Sequence, residues 1–520
     1  MSSLEDRTAQ AAGLQARLAR ATHADTAAIR RDNAGFLDWA AREKLRSEMP
    51  MLSASHRLSR QQKTMALVLA AVFIASVALV PISTLTVING LFVLYCCAGL
   101  ALRGWMLASN LKPPPRKPAR AAPENWPVVT ILIPLYREAA TLPHLVKALL
   151  GLDYPPDRLD IKILLEEDDP ETKALAEKLC NAPCFDLVHV PDNLPRTKPK
   201  ACNYGLWTAL GEFTVIYDAE DRPESDQLKK AVMAFRAGDD RLACVQARLN
   251  YYNRRKNWLT QLFSMEYALL FDIVLPSLAR IGAPIPLGGT SNFFRTRTLQ
   301  DIGGWDGYNV TEDADLGLRL AAAGYHVGII NSTTFEEAVS APGAWVRQRS
   351  RWLKGYFQTW LVHTRTNPHF TKPPLFSKAG LTRFVTLHLV MGGVLISAVV
   401  NPVFWVLYAV WLSGHGDWLA AIYPPPLLEL SVFTLLGGNA FMAYLTLIAP
   451  LRRRWFDHCA CVVLLPVYWL MLSAAGYKAV WQLIIKPFYW EKTTHGTGGE
   501  MSGTHEPTSG ACAMPVTEKS

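Results

Sequence analysis

The sequence predicts an α/β domain with a mixed, mostly parallel sheet, held between α-helical transmembrane segments. Three observations predict this. Half of the 520 residues are hydrophobic and only 19% are charged, more apolar than an ordinary soluble enzyme, and the excess gathers near the N-terminus and in the C-terminal third. The middle instead alternates short β-branched runs with helical patterns, the mark of strand–helix–strand units. Those runs end in acidic clusters, and in such sheets ligands bind beyond the carboxyl ends of the strands.

Taken in order, residues 1–62 are polar and Ala/Arg-rich, lack the pattern of a cleaved signal peptide, and are expected to be a cytosolic segment. Residues 63–110 predict a transmembrane hairpin: one apolar run covers 65–80, a second covers 91–107, and a short polar gap separates them. Arg57, Arg60 and Lys63 precede the hairpin, and Arg103, Lys112, Arg116, Lys117 and Arg120 lie at or beyond its end. Positive flanks mark the cytosolic side. A Pro- and Lys/Arg-rich linker at 112–127 leads into the middle domain, 125–366.

Within that domain, runs at 128–133, 161–165 and 213–217 read as buried strands, with helices at 142–150 and 171–179 between them. The strands lead into Arg137-Glu138, Glu166-Glu167-Asp168-Asp169 and Asp218-Ala219-Glu220-Asp221. Residues 378–486 are apolar again, with spans at 381–412, 427–449 and 462–475. The first of these is either two short spans broken at Asn401-Pro402 or one long tilted span. Two crossings there return the C-terminus to the cytosol but put Arg452-Arg453-Arg454 outside; one crossing does the reverse, and both stay open. The tail, 487–520, is rich in Gly, Ser, Thr and Pro towards its end and is expected to be partly disordered.

The net charge of +9 lies beside apolar spans rather than in a basic stripe interleaved with aromatics, which argues against nucleic acid as a partner. The nine cysteines form neither a disulfide framework nor a zinc pattern.

Three clusters carry chemistry. Asp218-Ala219-Glu220-Asp221 follows a strand; such a turn is either solvated surface or a site where carboxylates share Mg²⁺ or Mn²⁺. Thr311-Glu312-Asp313 opens a helical pattern, as an N-cap would, and a carboxylate there can also be a general base. Gln348-Arg349-Ser350-Arg351-Trp352 lies in an aromatic-rich helical stretch suited to the membrane surface. An indole among donors also suits a sugar face, and guanidinium groups suit a pyrophosphate.

From Trp126 to about Trp360 the chain resembles the catalytic domain of processive family 2 glycosyltransferases, the group of cellulose, chitin and hyaluronan synthases. The matching elements are Pro134-Leu135-Tyr136-Arg137-Glu138, Lys200-Ala201-Cys202-Asn203-Tyr204-Gly205, Asp218 to Asp221, Thr311-Glu312-Asp313, and Gln-x-x-Arg-Trp at Gln348, Arg351 and Trp352. The resemblance implies a GT-A-type nucleotide-sugar-binding domain, and Glu138 with Glu167 or Asp168 would contact the uridine. Lys200 would lie near the diphosphate, and Asp218 with Glu220 or Asp221 would hold metal and diphosphate. Asp313 would be the base, with Glu312, Gln348, Arg351 and Trp352 around the acceptor.

The implied reaction is inverting polymerisation of a β-linked glycan, with UDP-glucose the favoured donor and the bilayer and growing chain as partners. The implied place is the bacterial inner membrane, multi-pass, with the catalytic domain cytosolic and a periplasmic or export subunit as a further partner. Glu220 stands where cellulose synthases usually carry Asp, the second strand lacks the usual Asp-Asp pair, and no PilZ-type cyclic-di-GMP motif is present. These departures, with Trp490-Glu491-Lys492-Thr493 and His495-Gly496, are closer to bacterial β-glucan synthases related to cellulose synthase. Two alternatives stand beside this reading: a non-processive enzyme glycosylating a lipid carrier, and a non-catalytic transporter or scaffold.

Overall fold

A computed structural model describes residues 4–111, 123–365 and 373–489. Most of the linker at 112–127 and the motif at Trp490 to Gly496 lie outside the described residues. Eight strands form one sheet in the order β3-β2-β1-β4-β7-β6-β8-β5. They are β1 (Val129–Leu135), β2 (Leu159–Glu166), β3 (Phe185–Val190), β4 (Phe213–Ile216), β5 (Arg222–Pro223), β6 (Leu242–Tyr251), β7 (Asn292–Arg295) and β8 (His326–Glu336). β3, β2, β1 and β4 run parallel, as do β6 and β8; β7 is antiparallel to both β4 and β6, and β5 to β8.

The apolar runs in the sequence are continuous because helices cover both sheet faces. All of β2 is buried, including Asp160 and Lys162. Lys162 satisfies that burial by pairing with Asp160 at 3.1 Å and Asp186 at 2.9 Å. Asp186 in turn receives Arg30 through two bonds of 2.5 and 2.6 Å, which ties the helix His23–Asp32 to the sheet edge. The N-terminal segment is thus a set of helices docked on the catalytic unit, with Phe36 edge-on to Trp207 at 5.2 Å.

Among the described residues six helices are long and apolar enough to cross a membrane. Arg60–Leu79 buries no residue, so its apolar surface is left for lipid. Val80 alone separates it from Pro81–Leu111, so the polar gap expected at 81–90 is helical. Residues 378–412 form one helical path with a π-helical stretch at Val385–Met391 and Pro402 inside, the second of the two alternatives the sequence left open. Trp258–Ile281 is apolar enough to span, but most of it is buried between the middle domain and the C-terminal apolar helices.

Arg453 grips Asp272 of the catalytic unit through two bonds of 2.5 and 2.7 Å, and Arg452 donates to the Asn110 carbonyl at 3.2 Å. The last helix, Leu465–Ile485, runs beside Pro342–Thr364 and touches the catalytic unit at both ends. At its start Tyr468 bonds Glu266 and Arg349; past its end the Pro487 carbonyl accepts from Gln358 at 3.0 Å. Arg453 and residues 487–489 are therefore both held against the middle domain.

Candidate active site

The carboxyl ends of β1, β2 and β4 open into a cavity of about 360 Å³ lined by Tyr136, Glu138, Glu166, Asp168, Lys198, Asp218, Glu220 and Arg351. A second cavity, of about 400 Å³, shares Lys198, Asp218, Glu220 and Arg351 with it. Its other walls carry Glu312, Asp313, Glu336, Gln348 and Trp352. Three clusters far apart in sequence thus line one continuous space.

The strand-end turn closes through the Asp221 N–H on the Asp218 carbonyl at 3.1 Å. The Asp221 carboxylate faces back into the fold: its Oδ2 accepts from the Asp218 N–H at 2.8 Å and from the Thr290 hydroxyl. Burial, with Asp218 and Glu220 nearby, pushes Asp221 well above the usual carboxylate range. Asp221 lines neither cavity, so of the three expected metal ligands only Asp218 and Glu220 do. Among the described residues no three acidic, His or Cys side chains converge as a metal site. A Mg²⁺-type ion needs only one or two carboxylates where substrate phosphates and water complete its shell. Asp218 and Glu220, on the wall common to both cavities, fit that donor set.

Two donor-side expectations are corrected. Lys200 is buried with Nζ on Glu166 at 2.9 Å and the Pro191 carbonyl at 2.9 Å, and it lines neither cavity. Lys198 takes its place: Nζ lies 2.5 Å from Asp218 Oδ1 and donates to the Gly289 carbonyl at 2.7 Å. Helical residues two apart point to nearly opposite sides, so only one of these lysines can face the ligand space. Burial disfavours the Lys198 ammonium, but Asp218, Asp313 and Glu312 outweigh that and hold its pKa well above the ordinary value. Glu167 points away and accepts from the Asp192 N–H at 3.2 Å, while Glu166, Asp168 and Glu138 line the first cavity.

Asp313 is positioned by a relay from the Gly-rich segment. Gly304 has φ +65°, and a Cβ there would lie 2.2 Å from Asn203 Oδ1. The close approach lets Asn203 clamp the Trp305 backbone, accepting from its N–H at 2.9 Å and donating to its carbonyl at 2.8 Å. The held indole donates to Asp313 Oδ1 at 3.1 Å. Asp313 and Glu312 begin the helix Glu312–Ala322 and are buried, yet no ion pair forms with either among the described residues. Asp315, one turn position further, is instead paired with Arg319 at 2.7 Å and His363 at 2.9 Å. Burial therefore pushes Asp313 up to about 6, Asp218 adding to it while Lys198 and the indole oppose it. Burial and Asp313 push Glu312 up to about 8. Burial and mutual repulsion thus make this neighbouring pair hold protons to higher pH than free carboxylates do.

The aromatic stretch is the helix Pro342–Thr364. A Cβ at Gly355 would lie 2.4 Å from the Thr311 side chain, so only glycine lets this helix approach the Asp313 turn so closely. Gln358 accepts from the Val310 N–H at 3.2 Å and Asn309 donates to Thr359 at 2.9 Å, locking base and helix together. Trp352 packs on Phe263 and Tyr267 at 5.9 and 6.2 Å, and the Arg349 guanidinium sits 4.9 Å from its ring centre. Arg349 is ion-paired with Glu266 and so braces the indole; Arg351 lines both cavities. Gln348 is buried and its Oε1 has no hydrogen-bond partner among the described residues.

A third cavity, of about 210 Å³, lies between Pro81–Leu111, Gly392–Leu412 and Leu427–Arg452. It meets the second at Arg103, Leu389 and Met442 and carries Ser397, Asn401, Tyr408, Tyr423 and Asn439 on its walls.

The family described as glycosyl transferase family group 2 matches residues 213–485, more than half of the chain and the part that holds Asp218, Asp313 and Trp352. The chain belongs to glycosyl transferase family group 2. A probable glycosyltransferase YdaM of Bacillus subtilis is 27% identical over 244 residues, covering 45% of this chain and 56% of that one. Glucomannan 4-beta-mannosyltransferase 9 of Arabidopsis thaliana is 26% identical over 344 residues, covering 62% and 64%. Beta-monoglucosyldiacylglycerol synthase of a Synechocystis strain is 28% identical over 263 residues, covering 50% and 54%. The chain thus spans between about half and two thirds of the length of these relatives. In this group 2 member, Lys198 and Glu336 line the cavities and Trp305 holds Asp313 without sequence reasoning having given them a role, whereas Glu166 and Arg349 lay in stretches already singled out. Lys198 left a signal, as the first lysine of a two-lysine helix start.

Proposed function

We propose that this protein is an inverting, processive glycosyltransferase that polymerises a β-linked glycan from a UDP-sugar, with UDP-glucose the favoured donor. The observation that carries the proposal is the shared space lined by Asp218, Asp313 and Trp352. In this reading the nucleotide lies in the first cavity against Tyr136, Glu138 and Asp168, and its diphosphate reaches Lys198 and Arg351. The acceptor sugar stacks on Trp352 in the second cavity with a hydroxyl on Asp313.

Asp313 takes the hydroxyl proton as the oxygen attacks the anomeric carbon. The new C–O bond forms as the bond to the diphosphate breaks, with inversion, so an α-linked donor gives a β-linked product. Glu312, protonated at neutral pH, donates to an acceptor oxygen and leaves Asp313 as the only base. Lys198 and Arg351 meet the charge that develops on the leaving diphosphate. A Mg²⁺ or Mn²⁺ ion on Asp218 and Glu220, when bound, would supply further neutralisation there.

Export draws support from the third cavity. Its lining on Gly392–Leu412 runs from Gly393 to Trp411, about 27 Å of helix and close to the thickness of a bilayer core. Its amide and hydroxyl groups suit a neutral glycan. Four crossings, by the two N-terminal spans, residues 378–412 and Leu427–Arg452, would keep the catalytic unit and the basic cluster on the cytosolic side of a bacterial inner membrane. The relatives' names join β-linkage to both a glucomannan and a glycolipid. Membranes containing the protein, given labelled UDP-glucose and Mg²⁺, are expected to yield label too large to enter chloroform. A labelled chloroform-soluble product would overturn processivity, and no incorporation from any UDP-sugar would overturn the whole reading.

A further inference from the structure

Glu336 ends β8 and faces the cavity that holds Asp313 and Trp352. Two strand pairings fix it there. Its Cα partner is Tyr251 on β6, with the Tyr252 N–H on the Glu336 carbonyl at 3.0 Å; the preceding Phe335 pairs with Arg222, directly after the Asp218–Asp221 turn. The side chain therefore sits beside the turn that faces the diphosphate. Its Oε1 is buried and has no hydrogen-bond partner among the described residues.

The nearby cations are committed elsewhere. Lys198 is on Asp218, and Arg349 is on Glu266. Arg222 lies over the Tyr252 ring at 4.0 Å. A buried carboxyl oxygen left without a partner is costly, and a cavity-facing one gains its partner from a ligand. A ring lying between a diphosphate at Lys198 and a base at Asp313 brings its hydroxyls past this oxygen.

We propose that Glu336 binds hydroxyls of the sugar ring being transferred and thereby sets donor selectivity. This rests on the nucleotide-sugar reading of the site. The test compares UDP and UDP-glucose binding to the full-length protein in nanodiscs, for wild type, Glu336→Gln and Glu336→Asp, with turnover on UDP-glucose and on UDP-galactose. Glu336→Gln is expected to bind UDP like wild type while losing the extra affinity for UDP-glucose. Its kcat/KM on UDP-glucose should fall about 10- to 100-fold, with weaker discrimination against UDP-galactose, and Glu336→Asp should recover part of both. UDP binding confirms that each variant is folded. Equal losses for UDP and UDP-glucose, a shifted Mg²⁺ requirement with unchanged sugar discrimination, or no change at all would each overturn the assignment. Wild-type protein that binds no UDP would instead remove the donor reading beneath it.

Discussion

The two carboxylate clusters of the cavity are built in opposite ways. At the donor end Asp218 is partly exposed and held 2.5 Å from the Lys198 ammonium, so its charge is stabilised. At the acceptor end Glu312 and Asp313 are buried at a helix start without a paired cation, so their charge is discouraged. A group that must keep its charge while gripping phosphate or metal is given a counter-ion. A group that must accept a proton forms no direct ion pair and feels that lysine only at longer range. Asp315, two residues beyond Asp313, shows how cheaply the fold could have paired it, since Asp315 has both Arg319 and His363.

The largest effect that would break this contrast is at the base. Asp313→Asn is expected to lower transfer by about 10²- to 10⁴-fold while UDP binding, measured by calorimetry, stays near normal. Next is Lys198→Ala, which removes the counter-ion at the donor end. Single-turnover transfer should fall by about 10²- to 10³-fold, and loss of UDP affinity should accompany it. The contrast is sharpened by Trp305→Phe, which deletes the one hydrogen bond that helps Asp313 stay ionised. Its pH–rate profile should move upward by up to about one unit. The smallest effect on activity belongs to Lys200→Met. Breaking the buried pair with Glu166 should cost about 3–5 kcal/mol of stability, read as a lower Tm, with turnover per folded molecule nearly kept.

Most of the fold was legible because its signals are local. The β-branched runs ending in acidic residues became β1, β2 and β4, and the helix expected at 142–150 is Leu142–Leu150. In the site, Asp218, Asp313 and Trp352 were found as motifs and do line one cavity. Side-chain direction was less legible. Lys200 and Lys198 are two residues apart, and their difference is a helical rotation that sequence pattern alone did not resolve. Glu336 was missed because it ends an ordinary strand, and its importance arises only when β5 lies against β8. The course of the last helix was hidden for the same reason: apolar composition suits both a span and a helix lying along Pro342–Thr364, and only contacts at its two ends decide.

The most direct test of the account is the pH dependence of kcat/KM for transfer in the wild-type protein. Asp313 works as a base only when ionised, and its pKa is raised to about 6, so it is protonated and idle below that pH. Activity is expected to climb about tenfold per pH unit below 6 and level off above it. A rate that stays flat from about pH 5 to 7.5, with UDP-sugar binding intact, would contradict a buried, cation-poor Asp313 as the base.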